Sequence, residues 1–109
     1  MTLKNNNYRK VLNTTPQQQL VVMSLPKNVE IGMERHPATT QLIYVEAGRA
    51  MAYVNRDRYV LVVGDVLAVP PNANHNIIST SDEDLKLFTV YSPPEHSPAL
   101  VQLTKDGKP

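Results

Sequence analysis

At 109 residues and a formal net charge of +1, the chain fits one domain, and its basic and acidic residues are too evenly scattered to form a nucleic-acid-binding stripe. It has no cysteine, which excludes a disulfide scaffold and every thiolate metal site and fits a reducing, cytoplasmic setting. No apolar run approaches the ~20 residues that cross a bilayer, and the polar, Asn-rich start is not a secretory signal, so neither a membrane nor nucleic acid is expected as a partner.

Residues 1–10 read as an N-terminal arm with little structural commitment, residues 11–94 as one β-domain, and residues 95–109 as a tail. With five Tyr, one Phe and no Trp, the core must be built from Val, Leu, Ile and Met. Nine prolines and four glycines favour short elements joined by tight turns. Val11 and Leu12 begin a strand that Thr14-Thr15-Pro16 ends. Leu20 to Leu25 is apolar on both faces, which marks a strand covered on both sides. A barrel interior covers only one of them, so a second copy of the chain is the expected cover for the other, making a homodimer. Pro26-Lys27-Asn28 is a turn in which Asn28 suits a positive φ.

A strand is expected over Val29–Glu34 and another over Gln41–Glu46, broken by Ala47-Gly48. Met51–Val54 and Tyr59–Val62 form a hairpin across Asn55-Arg56-Asp57, with Arg49, Arg56 and Arg58 on a solvated edge. Gly64-Asp65 turns the chain into Val66–Val69. The loop Pro70-Pro71-Asn72-Ala73-Asn74 leads to a strand from His75 to Ser79. Ser81-Asp82-Glu83-Asp84 turns into Leu85–Tyr91, and a short edge strand is expected near Leu100–Leu103. About eight short strands with turn signals roughly every 8–12 residues make an all-β sandwich or barrel.

Glu34-x-His36 has the spacing that puts both side chains on one face of a strand. Gln41 heads an apolar stripe with Ile43 and Val45. His75 follows a proline-rich loop that fixes its approach. Two imidazoles, a carboxylate and an amide oxygen form an O/N donor set suited to a divalent transition metal, Zn, Mn, Fe, Co, Ni or Cu, with positions left for water or substrate.

These residues resemble the small single-domain cupins. The first cupin motif, G-x5-H-x-H-x4-E-x6-G, reads here Asn28-x5-Glu34-x-His36-x4-Gln41-x6-Gly48. The second, G-x5-P-x-G-x2-H-x3-N, reads Gly64-x5-Pro70-x-Asn72-x2-His75-x3-Ser79. The resemblance spans about Leu20 to Pro94, and Glu95-His96 is similar to an ending seen in single-domain cupins. It implies a double-stranded β-helix, or jelly roll, of the RmlC-like kind. It also implies a metal site at Glu34, His36, Gln41 and His75, and commonly a homodimer. Two turn glycines are replaced by Asn28 and Asn72, the residue that best tolerates positive φ after glycine. The carboxylate has moved from the fourth ligand position to the first, which keeps the formal charge of the donor set.

Two functional classes follow. One is a metal-dependent enzyme on a small sugar or oxo-acid, isomerase- or oxygenase-like; cupins of this look are often mannose-6-phosphate isomerase-like. The other is a non-catalytic module that binds a small ligand or is structural. Beyond the ligands, Tyr91 and His96 are the only candidates for contact with substrate. Core packing is the plainer role for Tyr91, and a surface position for His96.

Overall fold

In the computed structural model, which describes residues 1–105, the chain is all-β. The strands are β1 (Arg9–Thr14), β2 (Gln19–Leu25), β3 (Thr40–Ala47), β4 (Ala50–Val54), β5 (Asp57–Leu61), β6 (Val66–Val69), β7 (His75–Ser79), β8 (Leu85–Ser92) and β9 (Val101–Gln102). They form a six-stranded sheet in the order β6-β3-β8-β2-β1-β9 and a three-stranded sheet in the order β5-β4-β7. The interleaved order, in which β3 and β8 are neighbours, is that of a jelly roll, with every named strand pair antiparallel. No helix among the described residues is long and apolar enough to cross a membrane.

Period-two alternation sets what faces inward. On β3, Gln41, Ile43 and Val45 are buried while Leu42 is exposed, and on β8 the inward residues are Leu85, Leu87, Thr89 and Tyr91. Val21, Met23 and Leu25 on β2 and Ala52 and Ile77 from the smaller sheet complete the core. Truncating a fully enclosed residue such as Leu25 to Ala should cost about 2–5 kcal/mol. One end of the barrel is different. There the register aligns Val69, Gln41, Tyr91 and Gln19 across four strands, a row that carries two buried amides in place of aliphatic residues.

The turns obey the expected chemistry. Asn28, Asn55 and Asn72 have φ of 68°, 53° and 70°. Gly48 has φ of 81°, and a Cβ there would stand 2.8 Å from the Asp84 carbonyl oxygen, so only glycine fits between β3 and β4.

Three expectations need correction. Val29–Glu34 is not a continuous strand. It runs against β7 through isolated bridges, Glu30 with Ile78 and Glu34 with His75, because Gly32 at φ 97° breaks the ladder between them. The 1–10 arm is ordered and begins β1: Tyr8 and Arg9 are buried, and the Lys86 ammonium donates to the Asn5 carbonyl, Asn6 Oδ1 and Ser24 Oγ. That arm, with Met1 and Thr2 near Leu20, Val22 and Phe88, covers part of the outer face of β2, so the second cover of Leu20–Leu25 comes partly from the chain itself. The 95–109 tail is also tied down at its start. Fully buried Gln19 accepts from the Glu95 and His96 amides and donates to the His96 carbonyl.

Candidate metal centre

Glu34, His36 and His75 meet at the amide-lined end of the barrel, each offering one ligand atom, all within 4.8 Å of one another. His36 Nε2 lies 3.5 Å and His75 Nε2 4.0 Å from Glu34 Oε1, and the two rings are 5.2 Å apart. Local structure holds them there. Glu34 and His75 exchange backbone hydrogen bonds of 2.8 and 2.9 Å, which locks the irregular segment onto the start of β7. The His36 carbonyl accepts from the Asn72 amide at 2.9 Å, so the Asn72 turn fixes the loop that carries this imidazole. Glu34 and His36 thus share a side through a bulged loop, not through a regular strand.

The donor atoms of the expected set have the signature of a metal site. His36 Nε2, His75 Nε2 and Gln41 Oε1 are all buried with no hydrogen-bond partner. Leaving a buried acceptor unpaired costs about 1–3 kcal/mol, and a metal ion held with Glu34 could satisfy the two imidazole nitrogens. The opposite atom of each side chain is engaged. His75 Nδ1 is 3.2 Å from the Ala73 carbonyl, which can only accept, so the proton sits on Nδ1 and Nε2 keeps its lone pair. Gln41 Nε2 donates to Thr89 Oγ1 at 2.9 Å, which turns the amide so that Oε1 is left free. His36 Nδ1 stands 3.1 Å from Glu95 Oε1, and Glu34 Oε2 stands 3.5 Å from Arg9 Nη2. Such outer partners orient ligands and fix tautomers. Burial, above all, lowers the pKa of His75, which keeps it in the neutral form that a ligand requires. The residues present therefore fit a divalent transition metal.

Tyr91 and His96 adjoin this group without being part of the three-residue cluster. The Tyr91 ring lies 5.6 Å from His36 and 5.1 Å from His96, edge-on to both. Burial pushes the phenol well above its ordinary pKa, so it stays protonated. Burial, then Arg9 and His36, push His96 down to about 4, and its Nε2 is buried without a partner. Arg49, Arg56 and Arg58 are exposed, as the sequence indicates.

Three residues of the site are not evident in the sequence reading. Arg9 was assigned to the arm, yet it alternates with inward Val11 and shares a face with Met23. Gln19 heads an apolar stripe with Val21, Met23 and Leu25, the same signal that marks Gln41. Glu95 is singled out in the sequence only within the cupin-like Glu95-His96 ending; its approach to His36 depends on the Gln19 clamp, a tertiary contact.

Fold and site together define a class: small jelly-roll barrels with a histidine and carboxylate cluster at one end. The chain belongs to the cupin family, the pattern of its "Cupin domain" matching residues 21–91. It is similar to protein L612 of Acanthamoeba polyphaga mimivirus at 41% identity, over 95% of this chain and 68% of that one. It is similar to protein YrkC of Bacillus subtilis at 34% identity, over 95% of this chain but only 59% of the relative's length. Among solved structures, BH2720 from Bacillus halodurans matches with a TM-score of 0.95 at 29% identity, covering 96% of this chain and 84% of the other. KdgF from Halomonas sp. matches with a TM-score of 0.74 at 21% identity, covering 80% and 78%, a likeness of fold.

Proposed function

We propose that this cupin holds one divalent transition metal through Glu34, His36, Gln41 and His75 and acts, in the cytoplasm, on a small sugar or oxo-acid in an isomerase- or oxygenase-like reaction. The observation that supports the reading is the convergence of two unpartnered, buried imidazole nitrogens on Glu34, each ring with its other nitrogen engaged elsewhere; Gln41 Oε1, also buried and unpartnered, is assigned to the set from its place at the head of the inward stripe of β3. A bound dication would polarise a carbonyl or activate water or dioxygen. Glu34 supplies the one negative charge among the four donors. Tyr91 offers a hydroxyl that stays protonated, and His96 an imidazole that stays neutral at pH 7, so the two would serve as uncharged hydrogen-bonding groups beside the metal ligands. A second reading, a non-catalytic ligand-binding barrel, is favoured by the pairing of Arg9 with Glu34, which balances the carboxylate charge without an ion. Elemental analysis before and after a chelator tests the first reading: about one metal per chain is expected. Protein that remains metal-free after incubation with Zn, Mn, Fe, Co, Ni and Cu would refute it.

The homodimer is proposed on the outer face of the larger sheet. Leu42 and Val66 are 42% and 58% exposed there, too exposed to be covered by the arm. The register sets Leu42 beside Val90 and Tyr44 beside Phe88 and Val66, with the Tyr44 and Phe88 rings stacked 5.0 Å apart. Leu42, Tyr44, Val66, Phe88 and Val90 are all uncharged, and a second copy packed on them would remove them from water.

A further inference from the structure

We propose that the ligand of this site is a small monocarboxylate of the 2-oxo- or 2-hydroxy-acid class, and that Arg9 is the residue that recognises its charge. The inference rests on the metal-centre reading above and narrows the substrate within it.

Arg9 projects to the core side of β1 and is only 8% exposed. A guanidinium carries five N–H donors. Here Nη1 donates to Gln102 Oε1 at 3.0 Å, Nη2 stands 3.5 Å from Glu34 Oε2, beyond a good hydrogen bond, and Nε is buried with no partner. The guanidinium carbon also lies 5.3 Å from the Tyr8 ring centre. Burying a cation is costly unless its donors are filled. An arginine with a purely structural role would have them filled, and this one, beside the metal ligands, does not. A planar carboxylate matches the guanidinium fork, and two parallel bonds would complete it.

Charge decides between ligand classes. The ionic groups touching the donor atoms are Glu34, Glu95 and Arg9, which leave one net negative charge. A dication converts that to one net positive charge beside the buried His36, His75 and Arg9 side chains. A monocarboxylate restores neutrality. A neutral sugar leaves the excess uncompensated, and a phosphate monoester, at about −1.5 to −2, overshoots it. An oxo or hydroxyl oxygen on the carbon next to the carboxylate would let the same molecule reach a coordination position that the four protein donors leave open.

The test uses the full chain loaded with cobalt(II). Metal uptake is measured first. The loaded protein is then titrated with pyruvate, with its neutral ester methyl pyruvate and with inorganic phosphate, followed by calorimetry and by the visible cobalt bands. Pyruvate is expected to bind and shift those bands, with methyl pyruvate and phosphate weaker by about tenfold or more. Arg9→Met should lose pyruvate by about 10- to 100-fold, well beyond any change in its cobalt affinity, and Arg9→Lys should retain an intermediate pyruvate affinity. Thermal melts of both variants confirm that the comparison is between folded proteins. Failure to take up cobalt would overturn the metal-centre reading and the proposal with it. Cobalt uptake without pyruvate binding would overturn the carboxylate proposal alone. So would methyl pyruvate or phosphate binding as tightly as pyruvate. Parallel loss of cobalt and pyruvate in both Arg9 variants would show that Arg9 only orients Glu34, and would also overturn it.

Discussion

His36 Nδ1 stands 3.1 Å from Oε1 of Glu95, a residue that approaches from a segment beyond the last long strand. The contact puts a carboxylate behind an imidazole whose other nitrogen is buried without a partner. With its proton held toward Glu95, His36 keeps the Nε2 lone pair for a metal, and the carboxylate behind the ring fixes its orientation. Glu95→Ala should weaken metal binding by about 10- to 100-fold, while Glu95→Gln, whose amide oxygen still accepts from Nδ1, should lose much less. Calorimetric titration checks this. Equal affinity in wild type and Glu95→Ala would show that the contact does not orient the ligand.

The donor set should rank by charge. Glu34 is the only anion among the four proposed ligands, whereas Gln41 offers a neutral carbonyl oxygen. Glu34→Gln should therefore weaken metal binding by more than about tenfold, and more than Gln41→Ala does. Gln41→Glu should tighten metal binding but lower the stability of the metal-free protein, because a second carboxylate would join Glu34 in a buried site. Acidification should relieve that penalty. Titrations and melts with and without metal decide the order. A variant lacking Glu34 that binds normally, beside one lacking Gln41 that does not, would reverse the assignment.

Much of this was legible from residue pattern alone, for identifiable reasons. Asn28 and Asn72 stand where turns require positive φ, and both adopt it, at 68° and 70°. Gln41 reads as inward because Ile43 and Val45 alternate with it. Glu34 and His36 were placed together correctly, but by the wrong geometry, since Gly32 interrupts the strand that the spacing assumed. Arg9 was hidden by its polar Asn-rich neighbours, although its alternation with Val11 was available. Glu95 could not be read locally, because its position depends on Gln19, 76 residues away, accepting from its amide.

The N-terminal arm and Lys86 should be energetically coupled. The Lys86 ammonium is buried, and its acceptors are Asn5 O, Asn6 Oδ1 and Ser24 Oγ, two of them in the arm. Deleting residues 1–6 leaves that charge with one protein acceptor and uncovers Val22. The deletion should cost about 1–3 kcal/mol in urea unfolding. Adding Lys86→Met to the shortened chain should recover part of the loss, because it removes the orphaned charge and leaves an apolar side chain on the sheet. Purely additive effects would refute the coupling. The uncovered face adjoins the patch around Leu42 and Val66, so light scattering of both forms reports on assembly too. A mass near 12.2 kDa for the intact chain at micromolar concentration would contradict the homodimer.

The metal-free protein should lose stability on mild acidification through His96. Its pKa falls from the ordinary 6.5 to about 4, chiefly by burial, with Arg9 and His36 acting in the same direction. Tyr91, whose ring packs edge-on against it at 5.1 Å, remains neutral and adds no charge in this range. Between pH 6.5 and about 4 the unfolded chain binds a proton at this position that the folded chain refuses. Stability from this group is therefore fully present above pH 6.5 and is lost as pH falls toward 4, below which both states are protonated. His75, also lowered by burial, adds to the same slope. Because His96 is partly solvated, its contribution is smaller than the full shift implies, and the useful comparison is between proteins. His96→Gln removes one titrating group and leaves His75 in place. Urea unfolding with chelator present, repeated across pH 4 to 7, should then show a shallower decline for His96→Gln than for wild type. Parallel curves would mean that the His96 imidazole accepts its proton as readily in the folded chain as in the unfolded one.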